Sequence, residues 1–382
     1  MKKAYLSHRI FDGNSMLNGA ALLVDGEQIS SVVAASDIPT GYQTIDLGKG
    51  VLAPGFIDWQ VNGGGGVLFN NDISADAIMT IAKGHHQGGT TSLMPTLISD
   101  HPDTLPAAVS AIKTARSKSC VASNSILGLH IEGPFFCHER RGTHDAQSLR
   151  RLSDSDVDWF CSIEALNVVL TLAPEATEAG QIKRLSESGI IVSAGHTNAT
   201  SAEIQAALEQ GLRGFTHLYN AMSQLTSRAP GVVGAALADQ NSWCGMIVDG
   251  HHVDPISARV AIEAKPQGKM CLVTDAMATV GSEMTSFELY GMRIAEQDGR
   301  LINSEGNLAG SAISMIEAVK ICHQQVGVSL EECLRMASLY PAHFLGVEST
   351  LGKLQAAYRA DMVHFDEDLR ITQTWVAGEA ML

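Results

Sequence analysis

The chain has 382 residues, 45% of them hydrophobic, enough core for one large barrel with an appendage or for two to three smaller domains. Its 26 basic against 41 acidic residues give a formal charge of −15 with no basic block, which argues against nucleic acid and anionic membrane surfaces as partners. Seven cysteines without a Cys-x-x-Cys pair, no apolar stretch after Met1-Lys2-Lys3 and no run long enough to span a bilayer point to a reducing cytoplasm rather than a secreted or membrane setting.

Residues 20–25 and 28–34 are apolar runs around the turn Asp25-Gly26-Glu27 and read as a hairpin. Residues 361–365 and 371–377 have the same strand-like character. Strands from the two ends are therefore expected to pair into one small β-sandwich domain, residues 1–53 plus 349–382, with residues 54–348 inserted between them. That middle repeats a rhythm of apolar run, polar loop and helix-length segment. Eight runs stand out, at 52–61, 90–98, 125–131, 168–172, 190–194, 214–217, 243–248 and 269–274. Several are continuously hydrophobic, as suits parallel strands buried on both faces. Between them, residues 201–212 place Ile204, Ala207, Leu208 and Leu212 at helical spacing, and residues 330–340 do the same with Leu330, Cys333, Leu334 and Ala337. Eight such units over about 290 residues predict an α/β fold, a (β/α)8 TIM-like barrel. An open doubly wound sheet is the alternative, although neither G-x-G-x-x-G nor G-x-x-x-x-G-K-[ST] is present. Residues 282–308, with Asp298-Gly299 as a turn, read as a β-hairpin insertion after the eighth strand.

In such a barrel the reactive residues sit at the C-terminal ends of the strands. Glu132 follows the third run, His196 the fifth, His217 ends the sixth, Asp249 to His252 follow the seventh, and Asp275 follows the eighth. One carboxylate and two imidazoles form a three-ligand set with a vacant position, the pattern of a catalytic metal site. A metal there would acidify water and polarise a carbonyl, and Asp275 could take the proton and return it to a leaving amine. Each residue alone also reads blandly: a histidine after a strand as a surface or packing residue, Glu132 as a turn residue, Asp275 as a helix cap. Recurrence at the same position of four β/α units favours the site. His85, His86, His101, His138, His323, His343 and His364 are expected in helices or loops, as surface or packing residues, and Gly88-Gly89 as a helix stop.

The runs Ala53-Pro54-Gly55-Phe56-Ile57-Asp58, Leu129-His130-Ile131-Glu132-Gly133-Pro134, Ser193-Ala194-Gly195-His196-Thr197, Thr216-His217-Leu218-Tyr219-Asn220-Ala221-Met222 and Leu272-Val273-Thr274-Asp275-Ala276 resemble those of the N-acetylglucosamine-6-phosphate deacetylases of the amidohydrolase superfamily. The resemblance extends to Ala360-Asp361-Met362-Val363. It implies a metal-dependent amide hydrolase of amino-sugar metabolism that releases acetate from a 6-phosphorylated N-acetyl amino sugar. By position it implies Glu132, His196 and His217 as metal ligands, Asp275 as acid/base, and His144, after Thr143, as a residue that polarises the acetyl carbonyl. Asn220, Ala221, Asp249 and His252 match sugar-phosphate contacts, and Leu308, Ala309 and Gly310 a stretch whose backbone lines the pocket. Arg228 matches an arginine that reaches the phosphate of the neighbouring subunit, which implies a homodimer or a dimer-based tetramer; its bland reading is a solvated loop residue. A guanidinium fork can clamp a phosphate whatever the net charge.

Many members of the superfamily carry His-x-His after the first strand as ligands of a second metal. Here the run is Asp58-Trp59-Gln60-Val61-Asn62, and neutral amides are poor ligands for a zinc-like ion. One divalent ion per subunit is therefore expected, zinc before iron, cobalt or manganese, with Gln60 near it, directly or through water, and Asp58 structural. Competing readings are an N-acetylgalactosamine-6-phosphate deacetylase, which differs only at C4 of the sugar, another amidohydrolase of the dihydroorotase or N-acyl-amino-acid type, and a sugar-phosphate-binding regulator without catalysis.

Overall fold

Eight parallel strands lie side by side in chain order in the computed structural model, which describes every residue except Glu305 and Leu382. They are β1 (Phe56–Val61), β2 (Thr90–Ile98), β3 (Gly128–Glu132), β4 (Asn167–Leu172), β5 (Ile191–Ala194), β6 (Gly214–Phe215), β7 (Trp243–Met246) and β8 (Met270–Leu272). The last strand meets the first. Asp275 N donates to Gln60 O at 3.0 Å, and Asn62 N to Ala276 O at 2.9 Å. This seam closes the ring and rules out the open doubly wound sheet. Asp58 latches the same seam: its carboxylate accepts from Thr274 Oγ1 at 2.5 Å and from Gln60 N at 3.2 Å.

Helices cover the outside of the barrel. The segment Ser201–Glu209 shows why they form where they do. Thr200 caps Glu203 N at 3.3 Å, Glu203 returns a carboxylate oxygen to Thr200 N at 2.7 Å, and Ile204 and Ala207 bury the inner face. The expected helix to residue 212 stops early because Gly211 takes φ +101° and packs against Ser186, where a side chain could not fit. The predicted helix over 330–340 is two helices, Leu330–Ala337 and Leu339–Leu345.

The interior is not purely apolar. Val61 N donates to Thr96 Oγ1 at 2.8 Å, and Thr96 Oγ1 contacts His130 Nδ1 at 3.0 Å. His130 Nε2 meets Thr171 Oγ1 at 2.8 Å, and Thr171, Thr216 and Ser193 continue the belt at 2.7 and 2.8 Å. Burial pushes His130 down to about 4, so the ring is neutral. This layer satisfies polar groups that would otherwise be costly inside a barrel, and it links β1 to β6 directly beneath the site.

The two ends of the chain build two further sheets. One runs, in spatial order, Gln28–Ala34, Ala20–Asp25, Lys2–Leu6 and Gln43–Asp46. The other runs Glu379–Ala380, Ile371–Val376, Met362–Phe365, Val51–Pro54, Arg9–Phe11 and Met16–Asn18, so it combines both ends. Tyr5, Leu22, Ile29, Leu52, Met362 and Trp375 share one apolar core. The apolar run at 52–61 is therefore two strands in two sheets. Pro54 pairs with Met362, and the chain breaks at Gly55, where a Cβ would lie 2.2 Å from Thr91 Oγ1. The hairpin expected after β8 is a four-stranded antiparallel sheet: Ser286–Leu289, Met292–Gln297, Arg300–Ile302 and Leu308–Ser311. His364, expected in a helix or loop, lies in a strand, its Nε2 3.2 Å from Ser7 Oγ. Among the described residues no helix is long and apolar enough to cross a membrane.

Candidate metal centre and substrate cleft

Glu132 is the last residue of β3, while His196, His217 and Asp275 lie two to three residues beyond β5, β6 and β8. Those three take positive φ, at +49°, +35° and +53°. Left-handed backbone at a residue other than glycine costs about 1–3 kcal/mol and is held only where surrounding structure enforces it. Here it turns the chain just past each strand so that the three side chains meet over the barrel mouth.

His217 Nε2 lies 3.0 Å and His196 Nε2 3.3 Å from Glu132 Oε1, and the two Nε2 atoms are 3.0 Å apart. All three side chains are buried. His196 Nδ1 sits 2.8 Å from the main-chain oxygen of Arg140, so it carries the hydrogen and donates. Its Nε2 lone pair therefore faces Glu132 and His217. Lone pairs converging at this range repel unless a cation lies between them. A carboxylate and two imidazoles fit a divalent ion of the zinc type. Among the described residues this is the one group of three His, Cys, Asp or Glu ligand atoms within 4.8 Å of one another.

Asp275 lies beside this triad. Asn62 Nδ2 donates to its Oδ1 at 2.6 Å and Gln60 Nε2 at 3.2 Å, which leaves Oδ2 to exchange a proton. Burial, and then the charge of Glu132, push Asp275 up to about 7, a range suited to taking a proton and giving it back. Gln60 Nε2 also lies 3.2 Å from both oxygens of Glu132. Gln60 thus touches the triad directly through the Glu132 carboxylate. Asn62, not chosen as a site residue, holds Asp275. The clue was present: two amides occupy the positions where many relatives have imidazoles, and amides donate where imidazoles ligate.

His144 is buried against the edge of Phe136 and the ring of His196, with centroids 5.0 and 4.5 Å away. Burial, then the neighbouring His196, hold it well below the ordinary histidine range. Its Nδ1 contacts Ser99 Oγ at 2.8 Å and accepts from Ser99 N at 3.3 Å. Ser99 follows β2 and carries no motif, so nothing in the sequence marks it. Triad, Asp275 and His144 line one cleft.

A sequence model described as the amidohydrolase family matches residues 51–381. The chain belongs to the amidohydrolase family. Residues 4–51 match a second model, described as the NagA composite domain. Over 337 residues this amidohydrolase is 41% identical to an N-acetylgalactosamine-6-phosphate deacetylase of Shewanella, covering 88% of this chain and 84% of the relative. It is 35% identical over 383 residues to an N-acetylglucosamine-6-phosphate deacetylase of Haemophilus influenzae, covering 99% of both. The crystal structure of an N-acetylglucosamine-6-phosphate deacetylase from Pasteurella multocida superimposes with a TM-score of 0.95 at 39% identity, over 100% of this chain and 99% of that one.

The amidohydrolase's cleft is also lined by Thr143, Asn220, Ala221, His252, Leu308 and Gly310. Ala309 is fully buried behind its two neighbours. Asp249 does not line the cleft itself. It acts on His252, whose Nδ1 lies 2.6 Å from Asp249 Oδ2, while Oδ1 accepts from His251 N and His252 N at 2.8 Å each. Arg228 sits on the exposed loop before the helix Gly231–Ala238 and does not line the cleft of its own chain. Leu225 on that loop, and Ile256 and Val260 on the helix Pro255–Ala264, are exposed apolar residues.

Proposed function

We propose that this amidohydrolase removes the acetyl group of N-acetylglucosamine-6-phosphate, yielding glucosamine-6-phosphate and acetate. The observation that carries this is the buried Glu132–His196–His217 set beside Asp275 in one cleft. Glu132, His196 and His217 would hold one divalent ion per subunit, zinc by preference. When bound, such an ion supplies Lewis acidity, acidifying water and polarising a carbonyl. Asp275 takes the proton of the attacking water on its unbonded Oδ2 and delivers it to the departing amine. Asn62 and Gln60 keep Oδ1 occupied, so the carboxyl does not rotate during the exchange. His144 donates to the acyl oxygen as charge develops there. Expelled water strengthens each of these contacts, and the buried walls of the cleft favour that.

On the sugar side, His252, Asn220, Ala221 and Thr143 would meet the hydroxyls and phosphate, with Asp249 orienting His252 and the 308–310 backbone closing the pocket. Arg228 would complete the phosphate site of a neighbouring subunit in a homodimer or dimer-based tetramer. Residues 1–53 and 349–382 would form one β unit and residues 54–348 the hydrolase unit, and a reducing cytoplasm suits seven unpaired cysteines.

A second reading has the galacto epimer as substrate, favoured by the 41% identical Shewanella relative. The test is kcat/KM for both amino-sugar phosphates side by side. Preference for the gluco substrate is expected; a tenfold or greater preference for the galacto substrate would replace the first reading with the second.

A further inference from the structure

The four-stranded sheet after β8 lines the cleft through Leu308 and Gly310, and a side chain from its first turn also reaches Ser99 beside that cleft. Tyr290 occupies the turn between Ser286–Leu289 and Met292–Gln297, with φ +52°. Its hydroxyl donates to the main-chain oxygen of Ser99. On the other side of Ser99, Asn70 Nδ2 donates to Ile98 O at 3.0 Å, and Asn70 Oδ1 accepts from Ile98 N at 3.0 Å. The peptide before Ser99 is thus held by Asn70 and the peptide after it by Tyr290. Both backbone dihedrals of Ser99 are fixed between two anchors from distant parts of the chain.

What Ser99 does with that rigidity is visible at His144. Its N–H points at His144 Nδ1 at 3.3 Å, and its hydroxyl lies 2.8 Å from the same atom. A main-chain N–H can only donate, so Nδ1 presents a lone pair and the ring hydrogen is on Nε2. Only that tautomer can donate to an acyl oxygen in the cleft. If Ser99 swung away, Nδ1 could carry the hydrogen and Nε2 would offer a lone pair to the developing negative charge. We infer that Tyr290 and Asn70 are positioning residues that clamp Ser99 and thereby lock His144 as the Nε2–H tautomer, which gives the sheet after β8 a role in the reaction. The inference rests on His144 being the donor to the acyl oxygen.

The test is a double-mutant cycle on the purified protein with N-acetylglucosamine-6-phosphate. Tyr290→Phe keeps the ring and removes the donor. It should lower kcat about tenfold, within the range for coupled neighbours, with KM and metal content unchanged. In a His144→Ala background the same substitution should cause no further loss. Additive effects, or an undiminished kcat in Tyr290→Phe, would overturn the inference while leaving the role of His144 intact. An undiminished kcat in His144→Ala would instead remove that role and the inference with it. Nitrogen NMR of histidine-labelled protein reads the tautomer without turnover. His144 should show a pyridine-like Nδ1 in the native chain and a mixture in Tyr290→Phe. A protonated Nδ1 in the native chain would contradict the clamp. If Tyr290→Phe does not fold, Asn70→Ser carries the same cycle.

Discussion

Replacing Asp275 by asparagine keeps the shape of the side chain and removes its ability to hold a proton. The amide oxygen of Asp275→Asn can still accept from Asn62 and Gln60, which both bond Oδ1 in the native chain at 2.6 and 3.2 Å. The seam bond from Asp275 N to Gln60 O is main-chain and survives. Glu132, His196 and His217 do not touch the altered atom, so the metal set and cleft should persist. What is lost is proton transfer. One general acid–base group contributes about 10²–10⁴ in rate, and Asp275 serves in both directions, so the upper end applies. A fall in kcat of about 10⁴ corresponds to about 5 kcal/mol of barrier. The assay is acetate release under saturating substrate, with metal content measured on the same preparation. KM should stay within about threefold, as for a group that acts in the transition state alone. A kcat within tenfold of native would refute the assignment. Loss of metal alongside loss of rate would make Asp275 a ligand rather than an acid/base.

Arg228→Ala should raise KM for the phosphorylated substrate roughly tenfold to a hundredfold, the value of a charge-assisted hydrogen bond, and leave hydrolysis of the unphosphorylated sugar unchanged. Equal effects on both substrates would exclude a phosphate contact. Glu132→Gln replaces an anionic ligand with a neutral amide; chelator competition should show affinity for a divalent ion lowered by roughly a hundredfold or more, and unchanged affinity would move the site elsewhere. Asp58 is fully buried, and burial, opposed by its bonds to Thr274, pushes it up to about 7. The folded chain therefore holds a proton that the unfolded chain releases, so stability falls as pH rises from about 4 to 7. Asp58→Asn removes that dependence. In metal-free protein, native stability should drop between pH 5 and pH 8 by up to about 3 kcal/mol more than that of the variant, read by denaturant unfolding. Parallel pH profiles would show that Asp58 is not the group responsible.

The barrel was legible because parallel strands buried on both faces leave unbroken apolar runs, and β2 spans the residues expected of it. The triad was legible because its members stand at or just past the ends of those runs. The first strand was misread because Val51–Pro54 and Phe56–Val61 are both fully buried, and composition cannot divide one apolar run between two sheets. Gly55 marks the break only once Thr91 is known to pack against it. The positive φ of His196, His217 and Asp275 could not be read, since the barrel mouth imposes it against local preference. Ser99, Tyr290 and the belt from Thr96 to Ser193 are single polar residues scattered along the chain, and only the closed ring brings them together.

The central claim is a metal-dependent deacetylation, and acetate release from N-acetylglucosamine-6-phosphate before and after metal removal tests it most directly. Acetate and free amine should appear in equal amounts, stop after exhaustive chelation, and return when one equivalent of a divalent ion per subunit is restored. Undiminished release from protein free of divalent metal, or no release from the metal-loaded protein, would contradict it.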